Sequence, residues 1–404
     1  MDDTAPLIAA IDIGTNSFHM VIASVNNRGM MKITNRSKEM VRLGSSGGDI
    51  KWLEEDAIQR GVETLRKFVK MAKSENAQIK AVATSAVREA RNSRVFLNKV
   101  KEETGIDIEV VSGAEEGRLI YQGVIHALPV FSRKTLLLDI GGGSTETIVG
   151  LRGETIYGNS EKLGAIRLMK RFFPDGNSSP ESIDECRKYI YGNWAPIIKR
   201  IRECDFDTVV GTSGTITNIA VMCLAAKGKT VPEIINGIAV TRKELLKVIN
   251  DILHAHTVKK RANLPGMDTK RADIITGGAL ILEQAILNLD IQKILISSYA
   301  LREGIVFETV QKNQAMSKHR NLSYLRYETV YSLANQYRVD IEHAEHVRQI
   351  ALQLFDDLEK IHGMSNSERE LLEAAAILHD AGYHISHDKH HKHSYYLIRN
   401  SLMP

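Results

Sequence analysis

The sequence predicts an α/β protein of two related lobes followed by an all-α module, and three observations carry that prediction. A strand, a glycine turn and a second strand in Ile8 to Ala23 (IAAIDIGTNSFHMVIA) recur in Leu136 to Leu151 (LLLDIGGGSTETIVGL). Asp12 superposes on Asp139, 127 residues apart, within a shared D-I-G-x-x-S. Strand and helix signals alternate after each copy, as in α/β architectures. Beyond residue 311 the pattern is wholly helical, and ten of the fourteen histidines fall there.

Taken in order, the first hairpin is followed by an amphipathic helix near Glu54 to Ala72, then by strands at Ile79 to Thr84 and Ile106 to Val111. Ser112 and Glu115 have the spacing of a capping box, which starts a helix through Leu119, Ile120 and Tyr121. After the second hairpin, Asp207 to Ala220 (DTVVGTSGTITNIA) and Ile294 to Val306 (ILISSYALREGIV) each read as strand, loop and helix start. A linker is expected near Gln311 to Asn321, then helices at Tyr327 to Tyr337, Glu342 to Ile361 and Ser367 to His379. The boundaries expected are 1–125 and 126–310 for the lobes and 311–404 for the helical module.

Composition bounds the function. The chain of 404 residues, 43% apolar and 25% charged with 8 prolines, matches soluble globular averages and disfavours disordered, collagenous and disulfide-scaffold classes. A net charge of +4 is too weak a bias for general nucleic-acid binding, so no DNA partner is expected and any polyanion site is local. Three cysteines (Cys186, Cys204, Cys223) without a C-x-x-C suit a reducing compartment, and neither a basic leader nor an apolar run of about 18 residues is present. The expectation is a cytoplasmic protein with no transmembrane segment.

The hairpin turns are chemically informative. Glycine lets backbone N–H groups approach an anion, and neighbouring hydroxyls add donors. Gly14, Thr15, Asn16 and Ser17 in one loop, and Gly141, Gly142, Gly143, Ser144 and Thr145 in the other, are therefore phosphate-binding candidates. Gly211, Ser213, Gly214 and Thr215 form a third anion-compatible turn at a helix N-terminus. A carboxylate beside a phosphate loop repels the ligand unless a divalent cation lies between them, so Asp12, Asp139 and Glu146 are candidate Mg²⁺ ligands. His19 follows Asp12 at the spacing at which Glu146 follows Asp139, so only one lobe supplies this second acid. Arg88, just after a strand end, can offer a planar fork to phosphate oxygens.

DIGTNSFHMVIA, TSAVREA, SGAEEGRLIYQGV, DIGGGSTE, GTSGT and ALREG occur here in the order found in the exopolyphosphatase / guanosine pentaphosphate phosphohydrolase (Ppx/GppA phosphatase) family, which the chain resembles from about residue 8 onward. The resemblance implies two lobes of the actin-like, sugar-kinase and heat-shock-ATPase (ribonuclease H-like) fold. It also implies Mg²⁺-dependent hydrolysis of a terminal phosphate from polyphosphate, or alternatively from the 5′ end of guanosine pentaphosphate (pppGpp). It makes Glu116, the carboxylate directly before Gly117, the base that activates water, and Arg271 a substrate-binding residue. Members with a helical domain are commonly dimers, so a homodimer is expected. Ser298 stands where relatives commonly carry an aspartate.

In the C-terminal module, His346 and the pair His379-Asp380 resemble the H…HD pattern of metal-dependent HD phosphohydrolases, with His393 as a third histidine. The expectation is an incomplete HD-like domain ending at Pro404, with these four residues as candidate ligands of a second metal. The cluster His384, His387, His390, His391 and His393 is alternatively a phosphate-contacting surface, assisted by Lys389 and Lys392. Two readings from other classes are a small-molecule kinase of the same fold and a non-catalytic polyphosphate or nucleotide sensor.

Overall fold

A computed structural model describes residues 6–26, 31–44, 51–228, 231–232, 235–316, 330–331, 333–364 and 366–400. The chain forms two compact units: a larger one, Thr4–Ser24 and Lys32–Thr309, which holds nearly all of both sheets, and a second that includes the helices from Val310 onward.

The first sheet has strand order β3-β2-β1-β4-β5, with β1 Ile8–Ile13, β2 Phe18–Val25, β3 Met31–Glu39, β4 Gln78–Ala83 and β5 Ile108–Val110. The second contains β6 Thr135–Ile140, β7 Thr145–Leu151, β8 Glu154–Glu161, β9 Thr208–Thr212, β10 Ala239–Thr241 and β11 Lys293–Ile296, in the order β10-β11-β9-β6-β7-β8. β6, β7, β8, β9 and β11 thus occupy the places of β1, β2, β3, β4 and β5, and β10 adds an antiparallel edge. The duplication extends to register. Asp12 faces His19 across β1 and β2, and Asp139 faces Glu146 across β6 and β7. Each parallel neighbour matches too: Asp12 pairs with Val82 and Asp139 with Thr212. These are the two related α/β lobes that the repeat predicts.

Each β1-equivalent strand is central and apolar on both faces, because helices cover the sheet from both sides. All six residues of β6 are buried. The helix Glu55–Ser74 buries Ile58, Val62, Leu65, Phe68 and Ala72, a stripe at three- and four-residue spacing against the first sheet. No helix among the described residues is long and apolar enough to cross a membrane.

In the helical unit, residues 317–329, 332, 365 and 401–404 lie outside the described residues; the expected linker from Gln311 is overrun, because the helix Leu301–Met316 continues through its first six residues, and the described part of the helix expected from Tyr327 is helical at 330–331 and 333–336. The helix expected over Glu342 to Ile361 is two, Ile341–Asp357 and Glu359–His362. The break falls at Leu358, whose N–H is shared between the carbonyls of Leu354 and Asp356, and Gly363 at φ +62° ends the second piece. Asn366–Leu378 and His390–Asn400 complete the unit, around a core that includes Val330, Ala334, Val339, Ala344, Ile377, Leu378 and Ala381.

Candidate active site

Because both hairpins end at the same edge of their sheets, their turns face one cavity in the larger unit. Its walls include Asp12, Gly14 to Ser17, Glu116, Asp139, Gly141, Gly142, Ser144 and Glu146, together with Ser213, Gly214, Thr215 and Arg271. The two turns are built alike. A Cβ on Gly14 would lie 3.0 Å from the Ser17 carbonyl, and one on Gly141 3.1 Å from that of Ser144. In the third loop Ser213 has φ +69°, a backbone strain retained at the mouth of a helix whose N-terminus opens on the cavity.

Acidic groups gather close enough to repel one another. Glu116, Asp139 and Glu146 are buried, and Asp12 keeps partial exposure. Burial, reinforced by repulsion from Glu116, raises the Asp139 carboxyl to about 7 and lifts Glu146 well above the carboxylate range. Asp12 is likewise raised to about 7 by burial, against the lowering influence of Arg302. Ser213 hydrogen-bonds Asp139, and the Ser160 hydroxyl donates to Glu146 at 2.7 Å. An all-oxygen set of acids that resist ionising together fits a hard divalent cation, which relieves their repulsion. Among the described residues, these cleft acids do not bring three ligand atoms within 4.8 Å of one another, a spacing compatible with an ion that keeps part of its water shell.

Glu116 sits on the helix Gly113–Ala127, capped by Ser112 accepting from the Glu115 N–H at 3.1 Å. The Glu115 carboxylate grips Arg118 through both oxygens, which leaves Glu116 to turn inward. Arg88 is set back from the cavity wall: its Nη1 donates to Glu116 Oε2 and to the Val111 carbonyl, both at 2.9 Å, so it holds the carboxylate. Burial still raises Glu116, with Arg88 and Thr84 pulling the other way.

Cations line the same cavity. Arg36 and Lys38 come from β3, Arg271 from the short helix Thr269–Arg271, and Arg302 from the start of the helix Leu301–Met316. Burial and the neighbouring Arg271 depress the Lys38 ammonium. The Arg271 guanidinium lies against Gly214, where a Cβ would fall 1.7 Å from Nη2. Arg302 Nη1 donates to His19 Nδ1 at 3.1 Å, so the His19 proton is on Nε2 and is donated to Ser17 Oγ at 2.7 Å. Burial and these cations hold His19 far below its ordinary value and therefore neutral. Arg302, Lys38 and Arg36 escaped the sequence reading, although Arg302 lies inside the quoted ALREG and His19 at the position equivalent to Glu146.

Three other expected phosphate contacts stand off the cavity wall. Thr145 precedes Glu146 on β7, so strand alternation turns it to the opposite face, where its hydroxyl donates to the Leu163 carbonyl. Gly211 is inside β9, where a Cβ would fall 2.6 Å from Ile216. Gly143 touches the other lobe instead of the cavity: a Cβ would lie 2.6 Å from Ser85 Oγ and 2.7 Å from Thr15 Oγ1.

In the helical unit the expected ligand set changes by one helical turn at each end. His379 and Asp380 come together with His343, not with the exposed His346 three residues on, and His390 rather than His393 approaches Asp380. An aspartate cap at Asp340 starts the first helix one turn before His343, and this fixes which histidine faces Asp380.

Comparison with known proteins bears on the whole chain. Residues 21–313 match the Ppx/GppA phosphatase family, and residues 325–404 match Ppx/GppA phosphatase domain III. An exopolyphosphatase from Cytophaga hutchinsonii is 28% identical, with TM-score 0.71 over 76% of this chain and 98% of its own. The Aquifex aeolicus Ppx/GppA family member is 26% identical, with TM-score 0.65 over 78% of this chain and 99% of its own. Motif order, duplicated sheets and family matches agree, and the chain belongs to the Ppx/GppA phosphatase family.

Proposed function

We propose that this chain is an exopolyphosphatase that hydrolyses the terminal phosphate of inorganic polyphosphate in the cleft between the lobes, with Mg²⁺ as cofactor. The observation that carries the reading is that one cavity gathers both acids (Asp12, Glu116, Asp139, Glu146) and cations (Arg36, Lys38, Arg271, Arg302). Crowding like charges is unfavourable in the empty protein and is relieved by a multiply charged anion. Among the described residues no phenyl, phenol or indole ring lines the cavity, which favours a substrate without a base to stack.

In this mechanism Ser17, Ser144 and the turn N–H groups position the terminal phosphoryl group, and Arg271, Arg302 and Lys38 balance the charge of the chain. Asp12, Asp139 and Glu146 would hold Mg²⁺, whose charge neutralises phosphoryl oxygens. Glu116 takes a proton from water as its oxygen bonds to phosphorus. The bridging P–O bond breaks, orthophosphate is released, and the shortened chain keeps the bridging oxygen. A carboxyl raised above its ordinary range is suited to proton transfer near neutral pH.

Glu116→Gln should lower phosphate release by about 10²–10⁴-fold while polyphosphate binding persists. Wild-type turnover in that variant would overturn the role of Glu116. Measured on one preparation, kcat/KM should be higher on polyphosphate than on guanosine pentaphosphate, and the reverse order would make the nucleotide the substrate. Tight polyphosphate binding without turnover in Mg²⁺ would instead mark a sensor, and phosphorylation of a small acceptor by ATP a kinase.

A further inference from the structure

The two hairpin turns carry four hydroxyls, on Thr15, Ser17, Ser144 and Thr145, and their partners differ in kind. On the second turn Thr145 donates to the Leu163 carbonyl, and Ser144 hydrogen-bonds Glu146, whose carboxylate when ionised can only accept. On the first turn Thr15 is bonded to the Ser85 hydroxyl at 2.9 Å. The partner of Ser17 is instead a nitrogen: His19 Nε2 lies 2.7 Å from Ser17 Oγ.

The direction of that bond is set one step back. A guanidinium can only donate, so at 3.1 Å Arg302 Nη1 gives a hydrogen to His19 Nδ1. This excludes both the doubly protonated ring and the tautomer with its hydrogen on Nδ1. The imidazole hydrogen is therefore on Nε2 and goes to Ser17. A hydroxyl that accepts from its protein neighbour keeps its own hydrogen for another acceptor, and Ser17 is buried in the wall of the cavity.

We propose that Arg302, His19 and Ser17 form a hydrogen-bond chain of fixed direction that aims the Ser17 O–H at an oxygen of the terminal phosphoryl group, with His19 as the positioning residue. The proposal rests on the reading of the cleft as a polyphosphate site. Ionised phosphoryl oxygens accept, so a hydroxyl serves them only when its hydrogen faces them. Each bond in such a chain polarises the next, so the charge of Arg302 strengthens Ser17 as a donor. The repeat supplies the contrast: Glu146 stands opposite Asp139 as His19 stands opposite Asp12, and it draws the Ser144 hydrogen toward itself. One frame thus carries a histidine where a hydroxyl is to donate outward and an acid where it is not.

The test uses the full chain with Mg²⁺ and tripolyphosphate. Ser17→Ala and His19→Leu should each lower kcat/KM by about 10–100-fold, the range of a hydrogen bond to a charged group. The double variant should lose no more than Ser17→Ala alone, whereas a merely structural defect at His19 would add to it. His19→Gln, whose amide nitrogen can take the place of Nε2 and donate to Ser17, should recover most of the loss. Nitrogen NMR of isotope-labelled histidines gives a readout on the wild type itself: the signals missing from His19→Gln should show a hydrogen on Nε2 and none on Nδ1. Wild-type kcat/KM in His19→Leu, additive losses in the double variant, equal losses in His19→Gln and His19→Leu, or a hydrogen on His19 Nδ1 would each overturn this proposal and leave the reading of the cleft standing. No phosphate released by the wild type would overturn both.

Discussion

The Arg88–Glu116 pair shows what a single contact can reveal that spacing cannot. Arg88 follows β4 and Glu116 lies near the start of the helix after β5, and only the parallel pairing of those strands brings the two together. Arg88 is thus a positioning residue. Arg88→Met should lower kcat with little change in KM. It should also move the acid limb of the pH–rate profile upward, because the guanidinium that restrains the Glu116 carboxyl is gone and ionisation requires higher pH. An unshifted limb would mean that Arg88 does not act through Glu116. The same limit explains which residues were legible: Asp12, Asp139 and the turn glycines were found through a local repeat. Lys38, Arg271 and Arg302 reach the cavity from three distant segments, and only Arg271 was identified, by resemblance.

Among the elements, central strands were legible because burial on both faces demands continuous apolar runs. β3, β8 and β10 were missed, and all three are sheet edges, where a single neighbour and solvent contact relax the pattern. Helix crossing was also invisible in the sequence. The helices Gly113–Ala127 and Leu301–Met316, which carry Glu116 and Arg302, meet glycine to glycine: a Cβ on Gly304 would lie 1.9 Å from the Leu119 carbonyl, and one on Gly123 2.4 Å from that of Ala300. Gly304→Ala should therefore cost at least the upper part of the roughly 1–3 kcal/mol of overpacking, since backbone cannot yield as a side chain does. It should lower Tm and kcat together.

At the same crossing His126 stacks on Phe307 with centroids 3.5 Å apart and hydrogen-bonds the Gln122 carbonyl, while its buried Nε2 has no hydrogen-bond partner among the described residues. Burial pushes the imidazole down to about 4, below its ordinary 6.5. The unfolded chain binds the extra proton first, so stability is lost as pH falls from about 6.5 to 4, by at most roughly 3 kcal/mol. His126→Leu should flatten that loss in urea titrations at pH 7 and pH 4.5, and an unchanged pH slope would exclude His126 as its source.

For the whole molecule, a net +4 conceals a cavity lined by both acids and cations, and the duplication explains how both arise from one plan. The equivalent of Glu146 in the first lobe is His19, which burial and then Arg302 keep neutral, so the repeated frame carries unlike chemistry in its two halves. That division requires the lobes to stay in register. Glu89, from the helix Ser85–Glu89, accepts from Arg167 Nη2 of the second lobe at 3.1 Å, and Arg167 Nε also donates to the Gly143 carbonyl in the second turn at 3.1 Å. Lys162 joins the same carboxylate from the surface at 2.9 Å. The Glu89 and Arg167 side chains are only 11% and 7% exposed, so removing one partner unbalances a buried ion pair. Glu89→Ala should then cost about 3–5 kcal/mol, as losses of one partner from buried pairs do. Lys162→Ala, removing a side chain 70% exposed, should cost no more than about 1 kcal/mol. Because Arg167 also steadies the Gly143 turn, Glu89→Ala should raise KM for polyphosphate as well as lower the urea midpoint. Equal midpoints for wild type and Glu89→Ala would show that this ion pair contributes nothing to holding the lobes in register.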